Sequence, residues 1–370
     1  MSPRTLTEEQ RDRAAGVLLG TAVGDALGVP WEFQPAKDEK VAATMCGGNG
    51  FEPGEYSDDT QMAVCVARVS AQGTDLRSEE GLDAVADAFM AWSDLPLPDI
   101  GILTARVLRA ARGLDGRPAD RCRQAAGRDY EDRRRSFSNG ALMRTAPVAL
   151  GTLFDSGGQD ARCATAEAAR AVASLTHADP RAGDACVLWT EAIRLAVVEG
   201  RLDVEAGLDL IPDARDTGGD DEQPADPRRW WFEAVREAAR PDWRRYRDVG
   251  NGSALVSLQT AWSAIVSTVE HGECDDDGTG HVRRALQAAV HVGGDTDTVA
   301  AIAGGLLGAR YGLRGLPDEW CRQICGWPGG EEGRSYFTLC AEERRPRAFR
   351  ASDLVRLGVL TAQGGRAEAV

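Results

Sequence analysis

Glycine spacing constrains this chain more than any other feature. Thr7 and Gln10 form a capping-box pattern, so a helix is predicted to start near Glu8. That helix runs into GVLLGTAVGDALG, where Gly16, Gly20, Gly24 and Gly28 recur every four residues and line one face. Each glycine costs a helix interior about 1 kcal/mol relative to alanine, so four in register need a compensating contact. Close approach of another helix, or of backbone at a site, supplies one. Gly304, Gly308 and Gly312 repeat the spacing near the other end of the chain. The two glycine helices are therefore expected to lie side by side in the core.

Each glycine helix is linked to an acidic stretch. HVGGDTDT (His291–Thr298) leads directly into the second, and YSDDT (Tyr56–Thr60) opens a separate helical run, QMAVCVARVS. Asp and Ser at a helix start are ordinary caps, but capping needs only one such residue. Here Ser57, Asp58 and Asp59 stand together, and so do Asp295, Asp297 and Thr298. Crowded carboxylates repel, and burying them unpaired is costly. Mg²⁺ or Mn²⁺, which prefer carboxylate, hydroxyl and water oxygens, would remove that cost. The pattern occurring twice favours one two-metal site built from both stretches.

Alternating β patterns are nearly absent and helical ones recur at Leu82–Trp92, Ile100–Ala111, Ala161–Ser174, Ala185–Val198 and Ala254–Val269. The fold class is all-α, a compact orthogonal multi-helix assembly without a repeat period. The 370 residues allow a large core, and the net charge of −15 argues against general nucleic-acid or anionic-membrane binding. The apolar run Gly16–Val29 is short for a bilayer and carries Asp25. Nine cysteines, without paired CxxC motifs, suggest free thiols and a reducing, cytoplasmic setting.

Residues 30–56 read as a long loop able to sit over the site, with Glu32 as its most interesting member. Residues 212–229 read as a flexible surface insertion, and Glu273–Gly280 as an acidic turn flanked by the superficial histidines His271 and His281. Arg135–Pro147 (RSFSNGALMRTAP) puts Ser136, Ser138, Asn139 and Gly140 before a helix start, where free N–H groups favour a phosphate or serve as a simple cap. Arg144 adds positive charge there or pairs with an acid. His177, in LTHADP, is a structural histidine or a phosphate donor. The turn Asp248–Ser253 is explained by turn chemistry alone.

Taken in order, GxxxGxAxGDALGxPxEF, SDDT, SNGALMRxAP, THxDP, GNG and GGDTDTxAAIAGxxxGAxYG resemble the ADP-ribosylglycohydrolases, which include dinitrogenase reductase-activating glycohydrolase and the ADP-ribosyl-acceptor hydrolases. The motifs run from Gly16 to Gly312. The resemblance implies an all-α ADP-ribosylglycohydrolase-like fold with a dinuclear Mg²⁺ or Mn²⁺ centre. By motif match, Ser57, Asp58, Asp59, Asp295, Asp297 and Thr298 fall on metal-ligand positions. Glu32 falls on the mobile-loop catalytic glutamate, with Asp58 and Asp59 also counted as catalytic. Ser136, Phe137, Ser138, Asn139 and Gly140 fall on the diphosphate loop, His177 on its nearby histidine, and Ser253 near the adenosine side.

Ser57 stands where some relatives carry Thr. Arg135 and Ser138 stand where glycines are frequent, which bears on loop geometry and leaving-group preference. The implied activity is metal-dependent cleavage of the C1″ bond between ADP-ribose and an acceptor (arginine, serine, a nucleobase or a metabolite) in an ADP-ribosylated protein or small molecule. The alternatives are a catalytically weak ADP-ribose-binding or partner-binding family member, and a metal phosphohydrolase. The expected organisation is a monomer with one domain over 8–345 and an extension over 346–370.

Overall fold

The computed structural model describes residues 5–95, 99–133, 137–154, 160–215, 223–269, 277–327 and 349–365. Its elements are helical: α1 (Glu8–Gly28), α2 (Asp58–Ser70), α3 (Glu79–Trp92), α4 (Ile102–Arg112) and α5 (Pro118–Arg133). They continue as α6 (Ala146–Gly151), α7 (Ala161–Ser174), α8 (Pro180–Glu199), α9 (Pro227–Ala238) and α10 (Ala254–Val266). The last are α11 (Thr279–His291), α12 (Thr296–Tyr311), α13 (Asp318–Cys321) and α14 (Ala351–Ala362). One antiparallel pair of two-residue strands, β1 (Cys325–Gly326) and β2 (Phe349–Arg350), is the only sheet among the described residues. The all-α expectation therefore holds.

The glycine helices do meet. A Cβ built on Gly16 would collide with the Gly308 carbonyl, one on Gly20 with Gly304, and one on Gly24 with Ala300, each closer than 3.0 Å. The pairing runs in opposite directions along the two helices, so α1 and α12 are antiparallel and touch backbone to backbone. The register continues to the end of α1, where a Cβ on Gly28 would overlap the Asp297 backbone. The stripe thus sets the last turn of α1, with Asp25, against the first turn of α12, with Asp297. From Ala14 to Gly28 every residue of α1 is buried. Together with the turn that follows it, α1 is long and apolar enough by composition to cross a membrane. Yet 89% of that apolar window is packed inside the protein, as in a core helix.

Helix α14 lies along α1. Leu354 is fully buried, and a Cβ on Gly358 would press on the Ala14 carbonyl. The segment 212–229 is tied down where it is described. Arg215 donates to Asp184, and the Gln223 amide, 7% exposed, donates to Asp179 Oδ1 at 3.0 Å and to the Tyr130 hydroxyl. Its last residues open α9, because Asp226 accepts from Arg229 N and Pro227 occupies the first turn. His281 is buried rather than superficial, held between the Tyr311 hydroxyl and the Ile265 carbonyl at 2.7 and 2.8 Å. His271 lies outside the described residues.

Candidate active site

The acidic stretches, more than two hundred residues apart in sequence, come together at the helix starts that α1 and α12 position. Neither stretch is spent on capping its own helix. Ser57 and Asp295 occupy the N-cap positions of α2 and α12, and neither side chain makes a capping hydrogen bond. The cap of α2 comes instead from Asp25 on α1. Its Oδ1 accepts from Ser57 N and Oγ at 2.9 and 2.8 Å, and its Oδ2 from Thr60 N and Oγ1 at 3.0 and 2.6 Å. Asp25 is fully buried, and the sequence reading gave it no role. With both oxygens already accepting two hydrogen bonds, it orients its neighbours rather than reaching for a ligand.

Two groups of carboxylates have ligand atoms within 4.8 Å of one another: Asp25, Asp59 and Asp297, and Glu32, Asp295 and Asp297. Asp297 belongs to both. The Ser57 hydroxyl has one hydrogen but faces three carboxylate oxygens: Asp25 Oδ1, Asp59 Oδ2 at 3.0 Å and Asp297 Oδ2 at 3.5 Å. Asp59 Oδ1 is buried with no hydrogen-bond partner. Burial pushes Asp25 up to about 6, against its hydrogen bonds. Burial and then Asp99 push both Glu32 and Asp58 up to about 8. Asp59 is held well above the carboxylate range by burial and then by Asp25 and Asp58, and Asp297 by burial and then by Asp59 and Asp295. A buried all-oxygen donor set that crowds its own negative charge fits hard divalent cations.

This electrostatic strain has a pH signature. The raised pKa values mean that the metal-free fold favours the protonated carboxyls. Their contribution to stability is full below about pH 4 and is lost as pH rises through 6 to 8. A cation bound among the carboxylates reverses that penalty. The Tm gain from saturating Mg²⁺ or Mn²⁺ is therefore expected to grow steadily from pH 5 to pH 8 in thermal unfolding. A gain independent of pH would contradict this arrangement.

Glu32 follows a short turn (Val29–Trp31) at the end of α1 and is 5% exposed. The next residue, Phe33, holds a left-handed φ of 57° and its side chain is 75% exposed. Such a conformation costs a non-glycine residue roughly 1–3 kcal/mol. It persists because Phe33 N donates to the Gly294 carbonyl at 2.7 Å and Gly294 N to the Gln34 carbonyl at 2.9 Å. Residues 34–56 are stitched down further by Ala36 N to Asp248, Ala43 N to Gln287 and His291 to the Val41 carbonyl. The loop expected to cover the site is anchored in this structure, and His291 serves that anchoring. Gly293 and Gly294 take φ of 80° and 74°, and a Cβ on Gly294 would strike Asn251 Oδ1. Asn251 clamps the turn, accepting from Asp295 N at 2.9 Å and donating to the Gly293 carbonyl at 3.0 Å.

A cavity of about 910 Å³ opens over the carboxylates. Glu32, Asp58, Asp295, Asp297 and Thr298 line it together with Ser138, Asn139, Gly140 and Gly252 and with Asp99 and Gly101–Thr104. Asp58 accepts from Gly101 N at 3.3 Å. Burial raises the Asp99 pKa. No motif announced Asp99, which follows a proline-rich stretch.

The phosphate-loop residues divide. Ser138 faces the cavity and its Oγ lies 2.7 Å from His177 Nε2. The amide of Asn139 is turned onto Asp295 Oδ2 at 2.7 Å and Ser257 Oγ at 3.0 Å, so it braces a carboxylate. Phe137 packs its ring against Trp230, Trp231 and the Arg181 guanidinium. Ser253 caps α10 through Val256 N, as its turn chemistry suggested. Ser136 lies outside the described residues. Burial, reinforced by the Arg144 charge, lowers the pKa of His177 and keeps it neutral.

A family model described as ADP-ribosylglycohydrolase matches residues 6–349. The chain belongs to the ADP-ribosylglycohydrolase family. It is 28% identical to the ADP-ribosylarginine hydrolase Tri1 of Pseudomonas putida, over 86% of this chain and 76% of that one. It is also 28% identical to the ADP-ribosyl-[dinitrogen reductase] glycohydrolase of Rhodospirillum rubrum, covering 85% and 90%. The human ADP-ribosylhydrolase ARH3 is 26% identical, covering 85% and 89%. A solved structure titled ADP-ribosylglycohydrolase-related protein complex superposes with a TM-score of 0.65 at 24% identity, over 97% of this chain and all of that one. The fold is the same.

Proposed function

We propose that this family member hydrolyses the bond between C1″ of ADP-ribose and an acceptor, and that the acceptor is an arginine side chain. The observation that carries the reading is the meeting of Ser57–Asp59 with Asp295–Thr298 under a cavity that Ser138–Gly140 also lines. Two Mg²⁺ or Mn²⁺ ions would be held by Asp58, Asp59, Asp295 and Asp297, with the Ser57 and Thr298 hydroxyls alongside and Glu32 completing the second group. When bound, such ions supply Lewis acidity toward ribose hydroxyls and water.

The chain's own groups do the rest. Asp25 fixes the start of α2, while Asn139 and Asn251 fix the turn that carries Asp295. Glu32 takes the proton from the attacking water, whose oxygen bonds to C1″ as the acceptor nitrogen leaves with the bonding pair. The surrounding carboxylates stabilise the positive charge that builds on the ribose. The backbone N–H groups of Ser138 and Gly140 and the hydrogen-bonded Ser138–His177 pair receive the diphosphate, whereas the Asn139 N–H is spent on the Gly252 carbonyl; the overall charge of −15 is therefore no obstacle. Asp99, which lines the same cavity close enough to Glu32 and Asp58 to raise the pKa of both, suits a guanidinium, and one of the relatives is named for arginine.

A reducing compartment and a monomer complete the reading. Cys65, Cys122 and Cys186 are free buried thiols, pushed up by burial to about 12, 11 and 12 and so kept unreactive.

The test is incubation with arginine-linked and serine-linked ADP-ribosyl peptides in Mg²⁺ or Mn²⁺, reading the released product. Free ADP-ribose from the arginine peptide is expected, and Glu32→Gln should lower kcat by about 10²–10⁴. Release of AMP would identify a phosphohydrolase instead. Tight ADP-ribose binding without turnover would identify a binding protein.

A further inference from the structure

Arg144 is fully buried in the segment between Ser138 and α6, yet its hydrogen-bond partners among the described residues are Met62 Sδ and Thr176 Oγ1 rather than a carboxylate. Its guanidinium lies over the Phe89 ring at 4.5 Å, and Nη2 donates to Thr176 Oγ1 at 2.7 Å. Thr176 Oγ1 is in turn 2.7 Å from His177 Nδ1, and His177 Nε2 is 2.7 Å from Ser138 Oγ at the cavity wall. Four side chains thus form one unbroken line from a buried cation to the wall of the cavity that the carboxylates also line.

We propose that Arg144 is a positioning residue which, through Thr176 and His177, fixes the direction of the Ser138 hydroxyl and makes that wall a hydrogen-bond donor to anions. The direction follows from donor and acceptor inventories. A guanidinium can only donate, so it occupies a lone pair of Thr176 Oγ1. The Thr176 hydrogen must then go elsewhere, and His177 Nδ1 is the one remaining partner of that oxygen among the described residues. The reverse arrangement, with Nδ1–H donating to Thr176, strands a buried hydroxyl hydrogen with no acceptor.

Nδ1 is therefore the acceptor, and the proton of the neutral ring sits on Nε2. Nε2–H donates to Ser138 Oγ, whose own hydrogen is left pointing into the cavity. Were the line reversed, Ser138 would spend its hydrogen on the histidine and offer the cavity a lone pair, which repels an anionic oxygen. Gly140 keeps the ring in place, because a Cβ there would approach His177 Cε1 to 3.2 Å. The inference rests on the reading that a diphosphate occupies this wall, and it adds what makes the wall attractive to one.

The tautomer is measurable without substrate. Long-range ¹H–¹⁵N correlation on the full chain labelled at histidine, with His177 identified by signal loss in His177→Gln, should show the Nε2–H form at neutral pH. Thr176→Val removes the middle of the line at nearly constant volume, and Arg144→Gln replaces an obligate donor with a side chain that can donate or accept. Arg144→Gln, which can accept the Thr176 hydrogen, should shift His177 towards the Nδ1–H form, and Thr176→Val, which leaves Nδ1 without its hydrogen bond, should release the ring from its fixed orientation. Each should weaken ADP-ribose binding by about tenfold in calorimetry, while Thr176→Ser should keep the wild-type tautomer and affinity.

An Nδ1–H or cationic His177 in the wild type, with ADP-ribose still bound, overturns the proposal and leaves the site reading standing. The expected tautomer without any ADP-ribose binding overturns the site reading and the anion role with it. If both destabilising variants fail to fold, the wild-type tautomer and Thr176→Ser still decide.

Discussion

Asp297→Ala is expected to reduce hydrolysis by at least about a thousandfold, or roughly 4 kcal/mol of transition-state stabilisation, and to remove the Tm gain from divalent cations. Asp297 is the one residue common to both carboxylate groups, so its loss disrupts both at once. The more telling variant is Asp297→Asn, which keeps the shape and removes the charge. The Asp297 carboxyl is held well above its usual range by burial and by Asp59 and Asp295. Its ionised form therefore destabilises the metal-free fold at neutral pH. The asparagine protein should be inactive yet, without metal, at least as stable as the wild type at pH 8. Measured kcat/KM, with Tm in chelator and in Mg²⁺, separates the possibilities. An Asp297→Asn protein that kept wild-type turnover would remove the carboxylate cage from the mechanism.

Gly20→Ala is expected to lower stability by at least about 2 kcal/mol, despite the roughly 1 kcal/mol that helix propensity alone would add. The new methyl group would sit against the Gly304 carbonyl, a backbone atom of a fully packed helix that cannot rotate away. Prising α1 from α12 would also shift Gly28 off Asp297, so metal affinity should fall with Tm. Gly127→Ala in α5 is the control. Nothing lies within 4 Å of the position its Cβ would take, and a gain of about 0.5–1 kcal/mol is expected there. Denaturant unfolding of the two variants should give opposite signs. Equal small gains would mean that the glycine stripe does not set the helix spacing.

The glycine register and the paired acidic turns were legible because each breaks a local rule. Glycine in a helix interior and carboxylates in clusters both need a partner from elsewhere, and the sequence contains one matching partner for each. Asp25 escaped because a single aspartate late in an apolar helix looks the same whether it faces solvent or caps a second helix 32 residues on. Asp99 escaped because no pattern surrounds it. Asn139 and Asn251 were read as loop and turn residues. Their amides hold Asp295 and the Gly293–Gly294 turn, a contact between segments that only the packing of α10 against α12 creates. Phe137 and Ser253 match ligand positions by motif; in the structure Phe137 packs against Trp230 and Ser253 caps α10.

The central claim is that two remote acidic turns close around divalent cations. The most direct measurement is anomalous scattering from crystals of the protein grown with Mn²⁺. Two peaks are expected, one beside Asp59 and Asp297 and one beside Glu32, Asp295 and Asp297, with both lost in Asp297→Ala. Mn²⁺ found only at other surface carboxylates, with this cluster empty at saturating concentration, would contradict it.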